Sequence, residues 1–168
     1  MSEPLIVEVV IAAPADAVWR ALRDPAEIRR WFGWEYDEGG GLAEEIEQIF
    51  DRETTASDEE RTLDTGAGVF TLTERGDRTV LRITRAAPAG QSSWDGIYDE
   101  VNEGWLTFVQ QLRFYLERHP GQDRTTELVE AAGDGDEWFT APNQHGVLRE
   151  DGSLAITTRE RVIVSAYR

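Results

Sequence analysis

An apolar strand that runs into two proline-started helical turns opens this chain, and it limits the fold more than any other stretch. Leu5, Val7, Val9 and Ile11 recur at every second position, the period of a strand with one buried face. Pro14 then suits a first helical turn, where a missing N–H costs nothing, and Asp16 favours the positive end of the helix. That helix is expected to stop near Arg23. Asp24 caps a second one, with Pro25 in its first position and Glu27 placed to complete a capping box. Ile28, Trp31 and Phe32 follow at i, i+3 and i+4, an apolar face that ends in two aromatic rings.

Beyond the loop Gly39-Gly40-Gly41, Leu42, Ile46, Ile49 and Phe50 keep helical spacing, with a strand as the alternative. From about residue 52 to 86 the pattern is that of strands. Phe70 and Leu72 alternate with Thr71 and Thr73, and Leu81 and Ile83 with Arg82 and Thr84. Gly66-Ala67-Gly68 reads as a turn, and Gly76-Asp77 as a two-residue hairpin loop of type II′. The tripeptide Arg75-Gly76-Asp77 is read as that turn and not as an adhesion motif.

Ser92 and Asp95 form a capping pattern that opens the longest predicted helix. Trp94, Ile97, Tyr98, Val101, Trp105, Phe108, Val109, Leu112, Tyr115 and Leu116 keep its 3–4 spacing until Pro120-Gly121 stops it. Such a helix is on the order of 37 Å long and can cross a sheet. Gly104 in its middle costs roughly 1 kcal/mol relative to alanine. A close backbone approach, a bend or room for a ligand would offset that. In the remaining stretch, Thr126 to Ala132 reads as a short helix and Gly133 to Asp136 as a flexible run. Asp151-Gly152 reads as a hairpin turn before Leu154-Ala155-Ile156, and Val162-Ile163-Val164 as a last strand. Two units are therefore expected, a core over 1–120 and an extension over 121–168. The extension packs either on the core or on a second subunit, which would make a homodimer.

Composition narrows the function classes. The chain of 168 residues has no cysteine, so disulfides, thiolate metal sites and cysteine nucleophiles are excluded. All 17 basic residues are Arg, read as the codon bias of a GC-rich, bacterial genome. A net charge of -16 argues against nucleic acid and anionic membrane as partners. No span of apolar residues is long enough for a membrane helix and no signal peptide is apparent, so a cytoplasmic location is expected. Residues 35 to 60 hold eleven acids against Arg52 alone. They read as a solvated face, or as a docking face for a basic protein partner.

Catalytic motifs are scarce, and no cofactor or metal is expected. His119 and His145 are the only histidines. They sit at a helix end and in a loop, and Asp134-Gly135-Asp136 lacks the ligand spacing of a calcium loop. Carboxylates are plentiful enough that an acid/base pair stays open. The aromatic stripe Trp94, Tyr98, Trp105 and Phe108 reads equally as core or as pocket wall, where phenol and indole groups would orient an apolar ligand.

The segment Ile11-Ala12-Ala13-Pro14 through Trp31-Phe32, with Gly104-Trp105, Leu112 and Tyr115-Leu116-Glu117, resembles the START-like, or SRPBCC, superfamily. Within it the sequence is most similar to the family of activators of heat-shock-protein-90 ATPase, with its link to stress response. The resemblance implies an α+β helix-grip fold, like that of the birch-pollen allergen. In that fold a curved antiparallel sheet wraps a long C-terminal helix around a cavity. This chain departs from the family in its acidic segment after the helix pair and in its long extension.

The function implied is non-catalytic binding of a small hydrophobic molecule or lipid. The residues expected to line the cavity are Trp31, Phe70, Leu72, Leu81, Ile83, Trp94, Tyr98, Val101, Trp105 and Phe108. Two alternatives stand beside it: a chaperone-linked or other protein-interaction module using segment 35–60, and a polyketide cyclase/dehydratase-like enzyme working through cavity acids.

Overall fold

Alternation, turn chemistry and pairing register build the first half of the molecule. In the computed structural model, residues 5–52, 54–85, 98–129, 139–141, 144–148, 152–157 and 162–168 are described. Strand β1 (Leu5–Ile11) leads into helix α1 (Ala15–Arg23) and the short helix α2 (Pro25–Ile28). The Asp24 carboxylate accepts a hydrogen bond from the Ala26 backbone N–H at 2.9 Å, the expected cap. Glu27 does not complete the capping box. Its carboxylate turns instead to Arg30 and to the hydroxyl of Tyr115.

Helix α3 (Gly41–Glu47) and a π-helical turn (Gln48–Arg52) follow, so the helical reading of this segment is the one the chain adopts. Four strands complete the first sheet: β2 (Thr55–Ser57), β3 (Thr62–Asp64), β4 (Val69–Arg75) and β5 (Arg78–Thr84). The sheet is antiparallel, in the order β1-β5-β4-β3-β2. Its register places Val7, Ile83, Phe70 and Leu63 directly opposite one another, and beside them Val9, Leu81 and Leu72. Opposed residues of an antiparallel pair share a face, so these rows form one apolar wall.

The β4–β5 hairpin closes through Gly76-Asp77, with Arg75 opposite Arg78. Gly76 has φ +65° and no positive φ falls at Asp77, as the type II′ turn requires. Thr65 to Gly68 form the β3–β4 turn, where the Thr65 hydroxyl donates to the Gly68 carbonyl at 3.0 Å.

Helix α4 (Tyr98–Arg118) has 21 described residues and so runs about 32 Å. One side of it, Trp105, Val109, Leu112 and Leu116, joins the core cluster of the first sheet. The chain turns at Gly121, with φ +77°, into β6 (Arg124–Val129). Of the short helix expected over 126–132, residues 126–129 instead pair with β10, because the partner strand supplies backbone bonds that local periodicity cannot reveal, and residues 130–132 lie outside the described residues.

Strands β7 (Phe139–Ala141), β8 (Gln144–Leu148), β9 (Leu154–Thr157) and β10 (Val162–Tyr167) complete a second antiparallel sheet, ordered β6-β10-β9-β8-β7. The β8–β9 hairpin expected around Gly152 is present, with Leu148 opposite Leu154. Leu154 and Ile156 of this sheet pack on Phe114 of α4. The class is therefore α+β, with two antiparallel sheets and a long helix that contacts both. The capping pattern at Ser92–Asp95 and the Gly133–Asp136 run lie outside the described residues. Among the described residues, no helix is long and apolar enough to cross a membrane.

Candidate functional site

The wall formed by the first sheet is covered by rings. Phe70 lies edge-on to Trp105, with centroids 5.0 Å apart and planes at 87°. Phe50, from the π-helical turn, meets Trp31, Phe32 and Trp105 at 5.8, 5.1 and 6.2 Å. Phe32 continues to Phe108 at 4.8 Å, and Phe108 to Trp34 at 6.2 Å. The chain of rings thus begins in the deep core, where Phe70 and Trp31 are fully buried. Among the described residues it reaches Phe108 and Trp34, which are half-buried. Edge-to-face pairs at these separations contribute about 0.5–1.5 kcal/mol each beyond their burial.

Local structure explains how each ring is held. The indole N–H of Trp31 donates to the Ala21 carbonyl at 2.8 Å, tying the end of α2 to α1. The indole N–H of Trp105 donates to the Ala67 carbonyl at 2.9 Å. Gly68 makes this seat possible: a Cβ there would stand 3.0 Å from Trp105 Nε1 and 3.2 Å from an Ile83 methyl. Both indole donors are therefore spent on backbone, so neither is spare to orient a ligand.

Gly104 behaves differently. A Cβ built there would meet only the Phe108 ring, at 3.4 Å. Of the three explanations for a mid-helix glycine, close backbone approach is not what the described residues show. Val101, half-buried, lies one turn before it on α4.

Of the ten residues expected to line a cavity, Phe70, Leu72, Leu81 and Ile83 share the inner face of the first sheet. Trp105 lies against Phe70, Trp31 joins the same cluster through Phe50, and Val101 and Phe108 pack against its margin. Tyr98 is the first described residue of α4, and Trp94 lies outside the described residues. Phe32, Trp34 and Phe50 also belong to the ring chain, although sequence reasoning did not place them there. Phe32 and Phe50 carry a signal, since Phe32 continues the helical spacing of Ile28 and Trp31 and Phe50 that of Leu42, Ile46 and Ile49.

The acidic segment is partly knitted into the fold. The Asp58 carboxylate accepts the indole N–H of Trp19 at 2.8 Å, and Glu47 pairs with Arg52 at 3.1 Å. Arg61, in the left-handed region at φ 53°, pairs with Asp16 and lies over the Trp19 ring. Tyr36 donates its hydroxyl to Glu45 at 2.9 Å. Burial and this bond push the Tyr36 phenol up to about 12, and burial raises the Glu45 carboxyl.

A second polar cluster sits near the C-terminal end of α4. Tyr115 donates to Glu27 at 2.7 Å and accepts from the Gly121 N–H at 2.9 Å, while Arg30 joins Glu27 at 2.9 Å. Burial is the main reason that the Tyr115 phenol is raised. Among the described residues, no group of three or more His, Asp or Glu is placed to hold a metal ion.

No family model matches the sequence, and no curated protein sequence matches it either. Some solved structures resemble it in outline. DynU16, from the dynemicin biosynthetic locus, is 16% identical over 96% of this chain and 85% of its own, with a TM-score of 0.44. The di-domain ARO/CYC BexL, from the BE-7585A biosynthetic pathway, is 13% identical over 100% of this chain and 86% of its own, at 0.47. The di-domain ARO/CYC StfQ, from the steffimycin biosynthetic pathway, is 12% identical over 96% and 82%, at 0.44. At such identities and scores the likeness conveys nothing about substrate or chemistry.

Proposed function

We propose that this chain is a helix-grip protein of the START-like type, and that it holds a small hydrophobic, ring-containing molecule between the first sheet and α4 without acting on it chemically. The observation that carries this reading is the half-buried margin of the ring cluster beside α4. Phe108 and Trp34 stand 6.2 Å apart at that margin, and Gly104, lacking a Cβ, leaves room beside the Phe108 ring. An aromatic ligand would pack against Phe108 and Val101 and exclude water from them. Phe70, Leu72, Leu81, Ile83, Trp31 and Trp105 would form the floor, with Val101, Phe108 and the start of α4 around Tyr98 as the wall. Since the Trp31 and Trp105 N–H groups are committed to backbone carbonyls, recognition would rest on shape and apolar area rather than on hydrogen bonds.

The experiment is native mass spectrometry of the purified protein for a retained small molecule, followed by titration with the neutral fluorophore N-phenylnaphthylamine. Saturable binding of one probe per chain, with a Kd of roughly 1–100 μM for a ligand of this size, supports the reading. No retained molecule together with no saturable binding overturns it.

A further inference from the structure

The loop that carries Trp31, Phe32 and Trp34 is held from the second sheet, chiefly by one buried charge. Arg124, the first residue of β6, is 7% exposed. Its guanidinium donates to the carbonyls of Trp31 at 3.1 Å, Arg29 at 3.1 Å and Phe32 at 2.7 Å. It has no carboxylate partner among the described hydrogen bonds and ion pairs, and its Nε has no hydrogen-bond partner there either. All of its described side-chain hydrogen bonds therefore go to the loop.

Neighbouring groups act on the same segment. Gln111 donates to the Trp31 carbonyl at 2.6 Å and the Gly33 carbonyl at 3.3 Å. Tyr167 donates to the Arg30 carbonyl at 2.5 Å, and Thr126 accepts from the Glu35 N–H at 2.7 Å. Arg124 and Tyr167 stand opposite each other in the β6–β10 pair. Two adjacent strands thus present one polar edge to residues 29–35.

A guanidinium buried with no carboxylate directly bonded to it, and with Glu35 acting only through its charge, is costly. Desolvation lowers its pKa to about 10, so it remains charged at neutral pH. A methionine would fill similar space without that cost. What the charge supplies is a rigid planar fork that fixes three carbonyls at once, which a lysine cannot reproduce.

We infer that Arg124 is a positioning residue for the proposed ligand site: through the carbonyls of residues 29–32 it sets the orientation of Phe32 and Trp34. The second sheet is in this view part of the binding apparatus. The inference rests on the proposed site, and the test separates the two.

Full-length Arg124→Met and Arg124→Lys are compared with Leu154→Ala, which weakens the packing of the same sheet on Phe114 but touches no loop carbonyl. Three readouts are taken on each: N-phenylnaphthylamine affinity, near-ultraviolet circular dichroism of the ring cluster, and thermal midpoint. Both Arg124 variants are expected to weaken the probe by about tenfold or more and to flatten the aromatic dichroism, with lysine failing to rescue. Leu154→Ala is expected to keep affinity within about twofold even where its midpoint falls further.

Equal losses in Leu154→Ala and Arg124→Met would overturn the inference, as would wild-type affinity and dichroism in Arg124→Met. Should Arg124→Met not fold, Arg124→Lys decides alone, and wild-type affinity and dichroism in it would overturn the inference. Should the wild-type protein bind no probe, the site itself falls, while the dichroism still decides whether Arg124 orders the rings.

Discussion

Toward the first sheet, α4 offers Trp105, Val109 and Leu112 to rows of Val, Ile, Leu and Phe. Toward the second sheet it offers Phe114 to Leu154 and Ile156, beside a junction where Gln111, Arg124 and Tyr167 grip the backbone of residues 29–35. The first contact is non-directional, and gains from area and close packing. The second is directional, because hydrogen-bond geometry fixes where a carbonyl, and hence its side chain, must stand. One helix therefore joins a face that supplies apolar surface to a face that sets ring orientation.

The contrast predicts different sensitivities. Trp105→Ala should cost the most, about 3–5 kcal/mol in urea unfolding, because it opens a ring-sized hole and strips the Ala67 carbonyl of its donor. A loss below about 1 kcal/mol would mean that the ring cluster is loosely packed. Arg124→Met should cost about 2–3 kcal/mol, since three carbonyls lose a charged donor while an expensive buried charge is also removed. A stabilised variant would show that the polar junction contributes nothing to folding.

Two glycines sharpen the comparison with opposite signs. Gly68→Ala should destabilise by about 1–2 kcal/mol, because its Cβ would press on Trp105 and Ile83 at 3.0 and 3.2 Å, and both are held in the packed core. Gly104→Ala should stabilise by about 0.5–1 kcal/mol, because its Cβ meets only Phe108 at an ordinary distance. Equal effects at the two positions in thermal melts would remove the distinction between packed seat and open margin.

The smallest effect concerns pH. The Tyr36 phenol is pushed up to about 12 from its ordinary 10.0, by burial and by Glu45. Its contribution to stability is then complete below pH 10 and lost as pH rises through about 12. The Glu45 carboxyl is raised as well, so its contribution is present below the usual carboxylate value and fades as pH rises past it. Tyr36→Phe should flatten the alkaline part of the stability curve, and an unchanged curve would contradict the assignment.

Much of this was legible in the sequence where the cause is local. The cap at Asp24, the Gly76-Asp77 hairpin and the inward alternation of Phe70, Leu72, Leu81 and Ile83 all follow from short-range chemistry. The strand at 124–129 was not legible, because it exists through pairing with β10 more than thirty residues away. Nor was Arg124 recognisable as a buried group, since an arginine at a strand start reads as solvated unless the acceptors facing it are known. Trp34 escaped for a similar reason: it lies in an aperiodic loop, and only the fold brings it to Phe108.

Uptake of an apolar ring beside Gly104, as proposed, is tested by titrating wild-type protein and Gly104→Leu with N-phenylnaphthylamine. Saturable one-site binding is expected in the wild type. In Gly104→Leu a loss of about tenfold or more is expected, with an unchanged or higher thermal midpoint. Equal affinity in the two proteins would mean that no ring binds there.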